Sequence, residues 1–251
     1  MSLSNPTVSQ NPATKFISFK GDTGEWYYYD KTKEENVVIK PPIYFIILDE
    51  LSTVKGWSDQ YSSGIYSNEV HTLSEQLTVK TFKGGAMIKG WYQDIKNDVK
   101  ALGGKYTKSI YAMLIHDDDN TELVNFQLSG AAFSAYLDYK FKIDGKVVGI
   151  LEEVEEAKKG SIKYFKPKFK LFKPKENLTE MATEMDKELQ AYFKTRKPTE
   201  ENEKEESDPY KKVEGEFDEM QKKIEDKNKE NDPDDVGDLF DDAEEIEEAP
   251  F

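Results

Sequence analysis

Charge is distributed along this chain in a way that separates a part able to fold from a part that is not. Residues 198–251 hold 23 Asp and Glu side chains and seven Lys, whereas residues 1–197 hold 27 acidic and 28 basic side chains. The acidic segment also has few large apolar side chains, so it cannot bury enough surface to offset the entropy cost of ordering. We therefore predict that residues 198–251 form a disordered acidic tail attached to a nearly neutral folded part.

The rest of the chain divides into three parts. Residues 1–14 are polar and carry two prolines, which is typical of a flexible arm. Residues 15–176 contain all three Trp and both His, and we predict that they form the folded domain. Residues 177–197 have apolar side chains at helical spacing and are expected to form a closing helix.

Strand and helix patterns alternate through the folded domain. Alternating or β-branched side chains predict strands near residues 16–19, 26–29, 37–39, 43–48, 77–82, 110–115, 121–128 and 161–172. A helix is predicted after Gly84 and Gly85, where apolar residues recur at spacings of three and four until Gly103, and another over 130–141. A five-stranded Greek-key barrel with one helix between its strands is the OB-fold. The sequence therefore predicts a mainly β chain with helices, an α+β fold, organised as an OB-like antiparallel Greek-key barrel with inserted helices.

The residue types present exclude or disfavour several kinds of chemistry. The chain has no Cys, which excludes a disulfide, a Cys-ligated zinc site, an iron–sulfur cluster and a thiol nucleophile. His71 and His116 lie outside any metal-binding spacing, and the run Asp117–Asp119 lacks the glycine and distal Glu of a calcium loop. Gly104-Lys105 lacks the earlier glycine that a phosphate-binding loop requires. We expect a non-enzymatic protein without cofactor or metal.

Export and membrane signals are also missing from the sequence. The first residues contain neither a basic nor an apolar signal region, and the longest apolar run, Ile43–Leu48, is about a third of a membrane-spanning helix. We expect a soluble, cytoplasmic protein that does not contact a membrane.

Single-stranded nucleic acid is bound by surfaces on which aromatic rings stack on bases and lysines contact phosphates. Three segments offer that mixture: the loop 55–66, the strand 78–85, and the segment 158–175, which holds eight Lys and no acid. The cluster 26–29 adds four aromatic residues, of which strand alternation sends half into the core. The candidate binding residues are the aromatic Trp26, Tyr28, Trp57, Tyr61, Tyr66 and Phe82 and the basic Lys55, Lys80, Lys83, Lys105, Lys166, Lys168 and Lys170.

Each of these segments also has a purely structural interpretation. The loop 55–66 could be fixed to the body by its own rings, and the strand 78–85 could be half-buried with solvated lysines. The lysines of 158–175 could protect an edge strand from pairing with other chains. The sequence alone leaves both interpretations open for each segment.

The acidic segment closes on an apolar aromatic residue. After Lys229 there are 11 acidic residues and no basic one, and the last two residues are Pro250 and Phe251. A C-terminal Phe can enter an apolar pocket while its carboxylate pairs with Arg or Lys, and flanking acids steer it towards a basic surface. We predict that Ile246, Pro250 and Phe251 contact a partner protein.

An aromatic-rich, OB-like body followed by an acidic tail ending in Phe resembles the single-stranded DNA-binding proteins of bacteria and their bacteriophages, the phage-encoded type in particular. The run Ser63–Val70 is similar to a segment of the phage-encoded proteins. The tail keeps Pro250 and Phe251 but has Ala249 where bacterial members have Ile or Leu. The resemblance implies a protein that coats single-stranded DNA during replication, recombination and repair. It also implies recruitment of a polymerase, a primase/helicase or a recombinase through the tail in a host bacterial cytoplasm, and it leaves a homodimer open.

Two other functions stay open at this point. The chain could be a non-enzymatic adaptor, or an inhibitor whose acidic tail mimics DNA, or it could be a small assembly protein of a phage particle. Binding to single-stranded oligonucleotides would separate the first function from these.

Overall fold

The computed structural model describes residues 11–116, 120–140 and 148–196. In this part of the chain there are eleven strands and three helices. In chain order they are β1 (Lys15–Lys20), β2 (Glu25–Asp30), β3 (Glu35–Ile39), β4 (Ile43–Ser58), β5 (Ser63–Ser67), β6 (Leu77–Thr81), β7 (Met87–Gly90), α1 (Tyr92–Leu102), β8 (Gly104–Ile115), β9 (Thr121–Leu128), α2 (Gly130–Lys140), β10 (Val148–Lys159), β11 (Ile162–Leu171) and α3 (Glu176–Thr195).

All the strands belong to one branched sheet, so the mixed α+β class is confirmed. The main path runs β3-β2-β1-β9-β8-β4-β5-β6-β7, and every neighbouring pair is antiparallel except β1 and β9. The branch lies on β4, a strand of 16 residues that pairs with β8 from Tyr44 to Gly56 along one edge. The other edge of β4 pairs with β10 at its beginning and with β5 at its end.

The predicted closed barrel is not found in the described residues. Closure requires the last strand to pair with the first along a continuous ladder. Here β11 pairs only with β10, and it reaches the β1–β2 turn through one backbone hydrogen bond, from the Phe165 N–H to the Gly21 carbonyl at 2.7 Å. Because β4 is long enough to pair with both β10 and β5 along the same edge, the sheet branches instead of closing.

The centre of the sheet is buried on both faces. On β8, Ile110, Ala112 and Leu114 face the main core beneath α2, while the alternate residues Tyr111 and Met113 face α3. This alternation follows from the two-residue repeat of a strand. The main core also receives β10 and β11, through side chains such as those of Leu151 and Phe169.

A second, smaller core lies at the other end of the sheet, beneath α1. Val54, Ile65 and Val79 of three neighbouring strands pack there against Ile95 and Val99 of the helix. These contacts fix one face of the sheet formed by β4, β5, β6 and β7. On the opposite face of that region Lys80 and Met87 are exposed, while Lys55 and Tyr66 are half-buried.

Helix α1 differs from its prediction at its beginning and agrees with it at its end. The segment Met87–Gly90, expected to be helical, is strand β7 paired with β6. Its residue Ile88 packs in the small core from a strand, so its helical spacing to later apolar residues is coincidental. Gly103 ends the helix with φ of 97°, and a Cβ there would lie 2.1 Å from the Trp57 carbonyl oxygen. Only glycine fits this close approach without strain.

The two ends of the described chain are fixed to the body. Residues 1–10 of the predicted flexible arm lie outside the described residues, but the Thr14 N–H donates to the Leu123 carbonyl at 2.8 Å and Ala13 is buried. At the other end, α3 occupies the region predicted as the closing helix, and Arg196 after it donates to the Glu69 carboxylate at 2.6 Å. The predictions for 198–251, including Ile246, Pro250 and Phe251, fall outside the described residues, as do Asp117–Asp119. None of the three described helices is long and apolar enough to cross a membrane.

Candidate nucleic-acid interface

A row of directly paired residues crosses five strands on the face opposite the small core. Lys105 of β8 pairs with Lys55 of β4, which pairs with Tyr66 of β5, followed by Lys80 of β6 and Met87 of β7. Paired residues in neighbouring antiparallel strands project from the same face. The row therefore places three lysines and one tyrosine on one surface, at right angles to the strands.

Two more aromatic rings stand beside this row. Phe82, just after β6, is 72% exposed, and its ring stacks on Tyr66 with centroids 4.4 Å apart and planes inclined by 23°. Trp57 is 52% exposed and lies two residues after Lys55, on the same face of β4. We refer to Lys55, Trp57, Tyr66, Lys80, Phe82 and Lys105 as the aromatic–lysine face.

Gly64 provides the space that Phe82 occupies. A Cβ at Gly64 would lie 2.9 Å from Cδ2 of Phe82, closer than an ordinary carbon–carbon contact. The absence of a side chain at this position therefore allows the Phe82 ring to lie over β5 and against Tyr66. The sequence alone does not single out this glycine, because its role depends on the pairing of β5 with β6.

The turn that carries Phe82 is held by several hydrogen bonds. The backbone N–H of Phe82 donates to the Gly64 carbonyl at 3.0 Å, and that of Lys83 donates to the Ser63 hydroxyl at 3.0 Å. The Lys83 ammonium donates to the Ser62 carbonyl at 2.7 Å. The turn is thus fixed in position with the Phe82 ring exposed, and Lys83 contributes to the turn itself.

The three lysines of the row differ in their surroundings. Lys80 and Lys105 are exposed, and in the described parts of the chain neither forms an ion pair with a carboxylate. Lys55 is half-buried, with its ammonium 5.4 Å from the centroid of the Phe16 ring. Burial lowers the pKa of Lys55, and the negative charge of Glu69 partly opposes that shift. A partly desolvated ammonium gains strongly from an arriving anion, because it has little water to lose.

Three predicted aromatic residues lie elsewhere or serve packing. Trp26 is fully buried in the main core, with its ring edge against Phe126, so we assign it to the core and not to an interface. Tyr28 is half-buried and packs against the same core. Tyr61 packs against the small core and contacts Gly85, where a Cβ would lie 2.8 Å from the tyrosine ring. For Tyr61 the structure favours the interpretation in which a loop is fixed by its own ring.

The lysines of β11 face glutamates across the β10–β11 hairpin. Lys168 lies 2.8 Å from carboxylate oxygens of both Glu153 and Glu155, and Lys166 is paired in register with Glu155. These glutamates hold the pKa of Lys168 above its usual value. Glutamates of β10 therefore offset the positive charge of Lys168 and lie opposite Lys166, whereas Lys170 pairs in register with Ile150. The signal that could have shown this is the run of glutamates at 152, 153, 155 and 156, which lies as far before the turn at Gly160 as the lysines lie after it.

Each of the two histidines lies within hydrogen-bond distance of a carboxylate. The His71 Nε2 lies 3.3 Å from Asp49 and the His116 Nε2 lies 2.7 Å from Glu122. Among the described residues there is no group of three or more His, Asp or Glu side chains arranged to hold a metal ion.

Comparison with known proteins identified no relative of this chain. No family model, curated protein or solved structure matches the chain. The aromatic–lysine face is therefore interpreted on its own geometry.

Proposed function

We propose that this chain binds single-stranded DNA without strong sequence preference on the aromatic–lysine face. The observation that carries the proposal is the cross-strand row Lys105–Lys55–Tyr66–Lys80, beside which Phe82 and Trp57 are exposed. The row interleaves cations with rings at the spacing of neighbouring strands, about 5 Å. This is the combination that binds successive phosphates and bases of a single strand.

The chemistry of the face favours a single strand over a duplex. The rings of Trp57 and Phe82 project from a sheet surface, where they can stack only on bases that are free of their own neighbours. Every base has such a face, so stacking gives affinity with little sequence preference. In a duplex the bases are stacked within the helix, and the exposed rings would meet only the sugar–phosphate surface.

The acidic segment supplies the second half of the proposal. We assign to residues 198–251, through Ile246, Pro250 and Phe251, the recruitment of replication proteins such as a polymerase, a primase/helicase or a recombinase. Its net negative charge suits a basic partner surface. In this role the protein would coat single-stranded DNA in the bacterial cytoplasm during replication, recombination and repair, and would need no catalytic residue and no cofactor. The function does not depend on a closed barrel, because the face lies on one side of an open sheet.

The test is a titration of fluorescently labelled oligothymidylate with the full chain, followed by anisotropy. Replacing Phe82 or Trp57 by Leu retains an apolar side chain but removes the ring, and each variant should lose about 1–3 kcal/mol of binding free energy. Tyr44→Leu is the matched control, because Tyr44 is also an exposed aromatic of β4 (39% exposed) but lies at the opposite end of that strand.

Two results would contradict the proposal. If oligothymidylate does not bind at low salt, or if Tyr44→Leu weakens binding as much as Phe82→Leu does, the face is not the binding site. Absence of binding would support the adaptor or inhibitor function instead. A duplex of the same length, measured in parallel, should bind more weakly at every salt concentration.

A further inference from the structure

We propose that the bound single strand continues past Lys55 onto a second group of rings on β1 and β2, formed by Phe16, Tyr27 and Tyr29. This inference rests on the proposed function and extends it to the length and path of the DNA site. None of these three rings belongs to the aromatic–lysine face defined above. We refer to them as the β1–β2 rings.

Strand register places the β1–β2 rings on the same face of the sheet as Lys55. Tyr27 pairs with Ser18, Ser18 with Gln127 and Gln127 with Ser109, which pairs with Leu51 of β4. Leu51 and Lys55 are four residues apart on β4, beyond its one register shift, so both project from that face, on which Leu51 is buried against Leu189 of α3. Phe16 and Tyr29 lie two residues from Ser18 and Tyr27 and share the face by the same alternation.

Contacts between side chains agree with the register. The Lys55 ammonium lies 5.4 Å from the Phe16 ring centroid although Lys55 is on β4 and Phe16 on β1. The Lys20 ammonium lies 5.1 Å from the Tyr27 centroid. Lys55 thus connects the two groups of rings, because it belongs to the aromatic–lysine face and its ammonium contacts Phe16 of the β1–β2 rings.

Two of the three β1–β2 rings are exposed and therefore accessible to a ligand, while Tyr27 is half-buried. Tyr29 is 57% exposed and Phe16 is 41% exposed, whereas their neighbours on alternate positions, Ile17 and Trp26, are fully buried in the main core. Large rings are normally placed inside when a strand offers the choice. In the β1–β2 pair, Ile17 and Trp26 are buried while Phe16 and Tyr29 are exposed to solvent.

Charge and continuity identify the occupant as the same nucleic acid strand. Lys20 and Lys55 bring positive charge to the β1–β2 rings. The carboxylate of Glu69, which acts on Lys55, is itself bound by Arg196 and by the hydroxyls of Ser109 and Tyr111. Tyr66 on β5 and Phe16 on β1 are four strand spacings apart, about 19 Å on a flat sheet, and they are also offset along the strands, because Tyr66 is level with Lys55 and Phe16 with Asp49. The contact between Lys55 and Phe16 spans this offset, so a ligand that follows the Lys55 side chain can contact both groups, provided that it is long enough.

The experiment compares oligothymidylates of about 4 and about 16 nucleotides, the limits of the site sizes that small single-strand-binding folds occlude. The variant combines Phe16→Leu with Tyr29→Leu in the full chain. We expect the affinity for the long oligonucleotide to fall at least fivefold, roughly the loss of one stacked base. The affinity for the short one should stay unchanged, and the occluded site size should decrease. Phe82→Leu, measured in parallel, should weaken both lengths.

A second variant separates stacking from folding. Tyr29→Phe keeps the ring and loses only the hydroxyl, so it should bind the long oligonucleotide as the unchanged protein does. Thermal unfolding should show the same Tm for Tyr29→Phe and Tyr29→Leu. The inference is overturned if the double Leu variant binds the long oligonucleotide normally while Phe82→Leu does not, which would leave the proposed function intact. It is also overturned if both lengths weaken equally. If neither length binds to the unchanged protein, the proposed function itself fails.

Discussion

Arg196 donates a hydrogen bond to Glu69 at 2.6 Å, joining the residue that follows α3 to the loop that follows β5. The Glu69 carboxylate also accepts from the Ser109 and Tyr111 hydroxyls, and the guanidinium lies over the rings of Tyr192 and Phe193. The pair therefore holds α3 on the sheet, and Arg196 comes two residues before the acidic segment in the sequence.

Removing either partner of this pair is expected to destabilise the fold. Glu69→Ala leaves the Arg196 guanidinium and two hydroxyl donors without their acceptor, and we expect a loss of about 2 kcal/mol, since the arginine remains partly exposed to water. Chemical denaturation measures this free energy of unfolding. The double variant Glu69→Ala, Arg196→Ala should lose less than the sum of the two single variants. Additive losses would show that the two side chains act independently.

Gly64→Ala is expected to weaken DNA binding without weakening the fold. The new methyl group would meet Cδ2 of Phe82, and because that ring is exposed it can turn away from Tyr66 at little cost. Affinity for oligothymidylate should fall by about 1 kcal/mol, the lower limit for one stacked base, with Tm unchanged. In a Phe82→Leu background the same substitution should have little further effect. An equal loss in both backgrounds would mean that Gly64 acts by another route.

The salt dependence of binding should distinguish two sets of lysines. Lys80→Gln and Lys105→Gln should each reduce the slope of log affinity against log salt by roughly 0.7, the value for one phosphate contact with a single strand. Lys168→Gln is the matched control, because Glu153 and Glu155 already neutralise that ammonium. A reduced slope for Lys168→Gln would instead return the β11 lysines to the DNA interface.

Lys55 should give the binding an unusual pH dependence. Its pKa is lowered by burial, so it loses its proton at a lower pH than an exposed lysine does. Affinity for DNA should therefore fall as pH rises through this lowered pKa, before Lys80 and Lys105 are deprotonated. Lys55→Gln should bind more weakly at neutral pH and lack this early decrease. Stability should change in the opposite sense, because the fold disfavours the charged form of Lys55: below its lowered pKa that cost is present, and it disappears towards pH 10.5.

Shortening the chain tests the role assigned to its acidic end. Residues 230–251 hold 11 acidic side chains and no basic one, and covalent attachment raises their effective concentration at any basic surface of the same molecule. Their removal should raise affinity for single-stranded DNA, most clearly at low salt. Deleting Phe251 alone should leave that affinity unchanged and abolish binding to a replication partner. Weaker DNA binding after truncation would mean that the segment supports the interface.

Element types could be predicted from local sequence where one pattern dominated. The continuous apolar run of β8, the β-branched and aromatic residues of β9, the glycine that ends α1 and the apolar spacing of α3 are each visible within a short stretch of sequence. The beginning of α1 could not be predicted, because Ile88 fits a strand and a helix equally well until its partner strand is known.

The candidate site was predictable in composition and not in arrangement. Local sequence predicted Trp57, Phe82 and Lys80 as site residues, because these aromatic and basic residues occur in segments rich in polar residues. It could not separate Trp26 from Tyr29, since alternation gives two faces and only packing decides which one is buried. Nor could it show that Lys168 faces glutamates, because that contact depends on the register of the β10–β11 hairpin.

The sequence by itself determined the charge asymmetry, the mixed strand and helix content and the stock of aromatic and basic side chains. Those properties follow from residue types and short-range spacing. Tertiary structure alone decided that the sheet branches at β4 instead of closing, that Lys105, Lys55, Tyr66 and Lys80 form one row, and that Phe16 comes within reach of Lys55. Each of these depends on pairing between strands that are far apart in the chain. Which strands pair, and in which register, is set by the burial of whole sheet faces, and a short stretch of sequence carries no information about its distant partner.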